Sequence, residues 1–158
     1  MAETYVDKRK YLALIAHNNM KAALMEFCSM HATKLEQFPL IATGTTGSML
    51  YKKTGLSLSQ KVASGPLGGD QAVGTLISTK NICGVIFFRD PLSSHPHHAD
   101  IEALGRLCDV YQIPFATNPQ SGEAILDFLL SGKGERELIP NHVLDAYKQG
   151  QKKVIQAG

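Results

Sequence analysis

The chain of 158 residues contains no tryptophan, only 7% aromatic residues and only three cysteines. Three is an odd number, and Cys28, Cys83 and Cys108 show no ligand-like spacing, which excludes a disulfide framework and a cysteine zinc site. They read as reduced thiols, Cys83 in a strand and the other two on helices. Charge of one sign is missing as well. Sixteen Lys and Arg against fourteen Asp and Glu leave a net charge of +2. No basic run is interleaved with aromatics, so no nucleic acid partner is expected. Lys148, Lys152 and Lys153 read as one solvated helix face. No apolar run reaches the length of a membrane span, and residues 1–10 are too polar for a signal peptide. A soluble, cytoplasmic protein with no membrane partner is the expectation. Repeats, low-complexity tracts and linkers are absent too, which predicts one domain over residues 1–158. What remains, 44% hydrophobic residues and 19% charged, is enough for a well-buried core.

That apolar content is distributed in alternation. Tyr11-Leu12-Ala13-Leu14-Ile15-Ala16 reads as a buried strand, followed by a helix over about 20–31. Residues 38–42 form a second strand, and 48–54 a short helix ended by Gly55. A weak third strand at 61–63 precedes a helix that follows Asp70 and runs to about Thr79. Residues 84–88 are the clearest strand, with a helix over 99–111 in which Ile101, Leu104, Leu107 and Cys108 recur at helical spacing. A fifth strand at 113–116 leads into a helix over 121–130, capped by Ser121 and ended by Gly132. A last helix starts after Pro140. Strict alternation of β and α units predicts an α/β three-layer sandwich: an open parallel sheet of about five strands with helices on both faces.

In such a sheet, ligands bind beyond the carboxyl ends of the strands, and here every strand runs into chemically capable residues. The first gives His17-Asn18-Asn19 and then Lys21. The second gives Thr43-Gly44-Thr45-Thr46-Gly47, the third Ser64-Gly65-Pro66-Leu67-Gly68-Gly69-Asp70. The fourth gives Arg89-Asp90-Pro91 and a loop with His95, His97, His98 and Asp100; the fifth gives Thr117-Asn118. Each group has a plain reading as a cap or turn. Asp70 at a helix start suits an N-cap, and the Thr43–Gly47 run suits a hydroxyl turn. Five such groups at one edge are hard to explain as punctuation.

The glycines of the third loop let backbone N–H groups approach an anion. The hydroxyls of the second, at a helix start, suit a phosphate, with Lys21 as a point charge. Neither a Walker loop nor a G-x-G-x-x-G is present, which argues against a nucleotide. The histidine loop raises a metal as a minor reading, but its spacing is irregular for zinc, and no metal is expected.

The residues Ala16-His17, Lys21, Ala42-Thr43-Gly44-Thr45-Thr46-Gly47, Ser64 to Gln71, Asp90-Pro91-Leu92, Pro96-His97 and Asp100 follow one another in the order and spacing of a known family. The chain resembles the methylglyoxal synthases, over roughly residues 11–140. That resemblance implies a flavodoxin-like or Rossmann-like fold and the conversion of dihydroxyacetone phosphate to methylglyoxal and inorganic phosphate. It implies no cofactor, a homo-oligomer (a hexamer), and phosphate as product and inhibitor. It further implies Asp70 as the base, with His97 and Asp100 as its catalytic companions. His17, Lys21, Thr43, Gly44, Thr45, Thr46, Ser64, Gly65 and His97 fall to substrate binding. Two departures stand out. Asn18 replaces an aspartate found after the histidine in many relatives. Near the C-terminus an arginine of some relatives is missing, with Gln149 close to its place and Lys148 and Lys152 nearby.

The residue types suit the chemistry. Removing a proton beside a ketone needs a positioned base and an electrophile for the developing oxyanion. A carboxylate near a phosphate gains basicity, and imidazoles can polarise the carbonyl and move protons between its oxygens. The alternative is a non-catalytic effector-binding module of the same fold, as in the regulatory domain of carbamoyl phosphate synthetase. A phosphate binder gains nothing from Asp70 and Asp100 beside its dianion. An isomerase that keeps the phosphate is a third reading, and a flavin electron carrier a weaker fourth.

Overall fold

A computed structural model of the chain describes residues 6–7, 9–133 and 140–157. Residues 1–5 of the polar N-terminal segment and 134–139 before the last helix lie outside them. Five parallel strands, β1 (Tyr11–Ala16), β2 (Leu40–Thr43), β3 (Gln60–Val62), β4 (Ile82–Phe88) and β5 (Phe115–Ala116), form one sheet in the order β3-β2-β1-β4-β5. The chain starts in the middle, moves outward to β3, then returns to β4 on the other side of β1. The switch point therefore falls between β1 and β4, where a ligand crevice is expected.

Burial explains the strand sequences. In β1 and β4 side chains are covered on both faces, so they read as unbroken apolar runs. One face carries Leu12, Leu14, Ile86 and Phe88 against α1 (Lys21–Met30), α2 (Ala32–Leu35), α3 (Thr46–Thr54) and α6 (Pro119–Ser131). The other carries Ala13, Ile15, Val85 and Phe87 against α4 (Gly69–Ser78) and α5 (His98–Tyr111). Cys28 and Cys108 sit in these two cores, where burial pushes both thiols up to about 12. No disulfide joins any of the three cysteines.

Strand β5 is shorter than the expected 113–116, β4 starts two residues early at Ile82, and three helix starts move by two residues, each for a local reason. Helix α3 starts at Thr46, two residues earlier than its apolar pattern. Helix α6 starts at Pro119, because Asn118 is the N-cap: its Oδ1 accepts the Ser121 N–H at 3.0 Å, so Ser121 is not the cap. Helix α4 starts at Gly69, with Gly68 at its N-cap in the left-handed region at φ 108°, so Asp70 lies inside the first turn and does not cap it. The last helix, α7 (His142–Ala157), hangs from the end of α5, since Asn141 donates to the Val110 carbonyl at 2.8 Å. Its apolar residues Val143, Tyr147, Val154 and Ile155 are 64–77% exposed, and its lysines are exposed too. Among the described residues no helix is long and apolar enough to cross a membrane.

Candidate active site

A cleft of about 680 Å³ opens at the carboxyl ends of β1 to β4. His17 follows β1 directly and is buried. Its backbone N–H donates to the Phe88 carbonyl at 3.2 Å, which anchors it at the switch point. Its Nδ1 accepts the Asp90 N–H at 2.9 Å. A nitrogen that accepts from an amide carries no proton, so the neutral ring holds its hydrogen on Nε2. That Nε2 is buried and has no partner among the described residues, leaving a donor for a ligand. Burial, then the His95 and His97 rings, pull the His17 pKa down to about 4, against the opposing pull of Asp90. The imidazole is therefore neutral at physiological pH.

Asp70 is the least expected group. It is 3% exposed, and among the described residues neither carboxylate oxygen has a hydrogen-bond partner. A buried carboxylate normally finds donors, because leaving it bare costs several kcal/mol or forces it to take up a proton. Burial raises its pKa first; the His97 ring opposes and the charge of Asp100 adds to the rise. His97 Nε2 lies 3.7 Å from Asp70 Oδ2, close enough to feel its charge and too far for a hydrogen bond. Gly65 makes this pair possible. A Cβ there would sit 2.8 Å from His97 Nε2 and 3.0 Å from Asp70 Oδ2, so any side chain at this position would push the pair aside.

The opposite wall carries hydroxyl, backbone and lysine donors of a kind that suits an anion. Thr43 ends β2, and Gly44 turns the chain at φ 58° so that α3 starts at the cleft. Lys21, at the start of α1, donates to Thr45 Oγ1 at 2.7 Å. Thr43, Gly44, Thr45, Ser64 and Gly65 all line the cleft. Thr45 is the N-cap of α3, so the positive dipole end of that helix is at the same wall.

Some expected residues sit elsewhere. Thr46 is completely buried with an unpartnered Oγ1 and does not border the cleft. Asp100 borders a smaller hollow of about 330 Å³ between α4 and α5, which Asp70 also touches, and not the cleft itself. Thr117 and Asn118 are outside it, and Asn118 serves as a helix cap. His98 turns toward Glu102, its Nε2 3.9 Å from Oε1, and among the described residues no group of three His, Cys, Asp or Glu is placed to hold a metal. Residue patterning missed the role of His95, whose ring stacks on His17 at a centroid distance of 3.6 Å. The only hint was its alternation with His97 across one short loop.

Fold and site together define a doubly wound α/β domain with an unpartnered acid, a neutral imidazole and an anion cradle at its switch point. Residues 23–117 match the model of the MGS-like domain family. The chain is 48% identical over 122 residues to methylglyoxal synthase of Clostridioides difficile (strain 630), covering 77% of this chain and 88% of that protein. It is 42% identical over 123 residues to methylglyoxal synthase of Thermus thermophilus, covering 78% and 97%. The crystal structure of methylglyoxal synthase from Elizabethkingia anophelis NUHP1 superposes with a TM-score of 0.72 at 37% identity, covering 85% of this chain and 95% of that one. The chain belongs to the methylglyoxal synthase family.

Proposed function

We propose that this protein is a lyase that converts dihydroxyacetone phosphate to methylglyoxal and inorganic phosphate. The observation that carries the reading is Asp70, a buried carboxylate kept free of hydrogen bonds beside an anion cradle. A binding module would not leave an acid bare next to a dianion, because both charges would repel.

In this scheme Thr43, Gly44, Thr45, Ser64, Gly65 and Lys21, which line the cleft, hold the substrate phosphate. Asp70 takes a proton from the hydroxymethyl carbon, and the C–H electron pair becomes the enediolate π bond. The His17 Nε2–H donates to the carbonyl oxygen as charge builds there. A neutral imidazole is matched to this task, since it stabilises an oxyanion without giving up its proton outright. His97 stands beside Asp70 and moves a proton between the enediolate oxygens. Asp100 touches no substrate and acts through Asp70, raising its basicity. The enediolate then pushes its electrons toward the adjacent carbon, the bridging C–O bond breaks, and phosphate leaves. The enol that remains takes a proton on its terminal CH₂, gives up its hydroxyl proton and becomes methylglyoxal. Elimination needs the bridging C–O bond out of the enediolate plane, a torsion that the phosphate cradle sets.

No cofactor enters the scheme. Phosphate is product and inhibitor, because it resembles the anionic end of the substrate. The assembly is a homo-oligomer, a hexamer, and the setting is the cytoplasm. The test is parallel measurement of methylglyoxal and phosphate released from dihydroxyacetone phosphate. Equal amounts are expected. Glyceraldehyde 3-phosphate with no phosphate release would mean an isomerase, and saturable ligand binding with no turnover would mean an effector module.

A further inference from the structure

His95 has no part in the scheme above, yet its ring lies against one that does. Its ring lies face to face on His17, 3.6 Å between centroids at 25°. Phe87 meets the same His17 ring edge-on, at 5.1 Å and 75°. His17 is thus gripped on a face by His95 and at another side by the core. The loop that carries His95 is fastened next to the stack: the Asp90 N–H holds His17 Nδ1, Asn19 Nδ2 donates to Asp90 Oδ2 at 3.0 Å, and the Leu92 N–H donates to Asp90 Oδ1 at 3.2 Å. The His95 Nε2 is buried without a hydrogen bond. A loop imidazole placed there forgoes water at that nitrogen, a cost that a surface connector has no reason to bear.

We propose that His95 is a positioning residue, whose ring clamps His17 so that the Nε2–H stays aimed into the cleft. The stack has a second consequence. Two imidazoles at this distance resist carrying two positive charges, so His95 also helps keep His17 neutral. The groups that face His17 divide clearly. Arg89 at the end of β4 and His97 at the start of α5 oppose its protonation together with His95, and Asp90 favours it. Lys21 lines the same cleft from α1 with its Nζ on Thr45, and Asp70 of α4 faces His97. The clamp matters for turnover only if His17 is the electrophile of the proposed lyase, so the inference rests on that reading.

Two variants of the full chain test it, His95→Ala and His95→Phe, the second keeping a flat ring without a charge. Steady-state kinetics with dihydroxyacetone phosphate is paired with NMR titration of ¹⁵N-labelled histidine rings without substrate. His95→Ala is expected to lower kcat about tenfold with KM changed less than about twofold, as loss of orientation would. His95→Phe is expected to restore most of kcat. In both variants the His17 midpoint should rise by about one pH unit, since the ring that opposes its protonation has gone. Unchanged kcat in His95→Ala, a His17 midpoint and tautomer identical to wild type, or His95→Phe no better than His95→Ala would each overturn the proposal. Wild-type protein without turnover would instead remove the lyase reading, and the ring titration would still decide whether His95 controls His17.

Discussion

At the scale of single residues, the site works by withholding partners. Asp70 belongs to a helix first turn, where acids usually accept backbone N–H bonds, yet its oxygens accept none. The consequence for stability has a definite sign. Its folded pKa is raised above the ordinary 3.8, so its contribution to stability is full below that pH and is lost as pH rises through the folded value. The ionised form of Asp70 is therefore the one the fold disfavours. Asp70→Asn is expected to melt roughly 2–4 °C higher than wild type at pH 7, read by calorimetry. A lower melting temperature would show that Asp70 is satisfied. Gly65 carries the complementary prediction. A methyl group there would press on His97 Nε2 and Asp70 Oδ2, so Gly65→Ala should lower kcat/KM by about 10²-fold, measured at unchanged far-UV circular dichroism.

At the scale of elements, punctuation and function separate in a way that residue type alone does not reveal. Asn118 and Asp70 are both N-cap residue types at strand-to-helix junctions of one sheet edge. Asn118 caps α6 through the Ser121 N–H, while the glycine at 68 frees Asp70 from that duty. Replacing Asn118 with Ala should therefore cost about 1 kcal/mol in denaturant unfolding with kcat and KM unchanged. A kinetic defect would place it in the site after all. The strands and helices were legible because their apolar periods are strong: β1 and β4 are buried on both faces, and α5 keeps Ile101, Leu104 and Cys108 inside. Helix starts were less so. The start of α3 depends on a positive φ at Gly44 and that of α6 on a proline in its first turn, both local backbone events with no periodic signature.

At the scale of the whole molecule, the sheet order places His17 and the histidine loop on either side of the switch point, so residues about 80 apart in sequence share one cleft. Loop chemistry announced the cleft's contents, but not which acid faces it. Asp70 and Asp100 look alike in sequence, and only the packing of α4 on α5 puts Asp100 in the neighbouring hollow. His95 stayed hidden for the same reason, since a stack between two loops leaves no trace in either one. The buried imidazole also shapes the pH response of the fold. The pKa of His17 falls from 6.5 to about 4, so its contribution to stability is full above pH 6.5 and is lost as pH falls through about 4. His17→Asn should flatten the drop in melting temperature between those limits, and an unchanged slope would show that other groups set the acid limit.

The central claim is that the bare carboxylate of Asp70 is the base that starts the elimination. The most direct measurement is the rate at which Asp70→Asn releases methylglyoxal and phosphate from dihydroxyacetone phosphate, relative to wild type. The account predicts that both rates fall together by about 10³ to 10⁴, the range of a positioned acid–base group. Turnover within about tenfold of wild type would contradict it, and would mean that another group takes the proton.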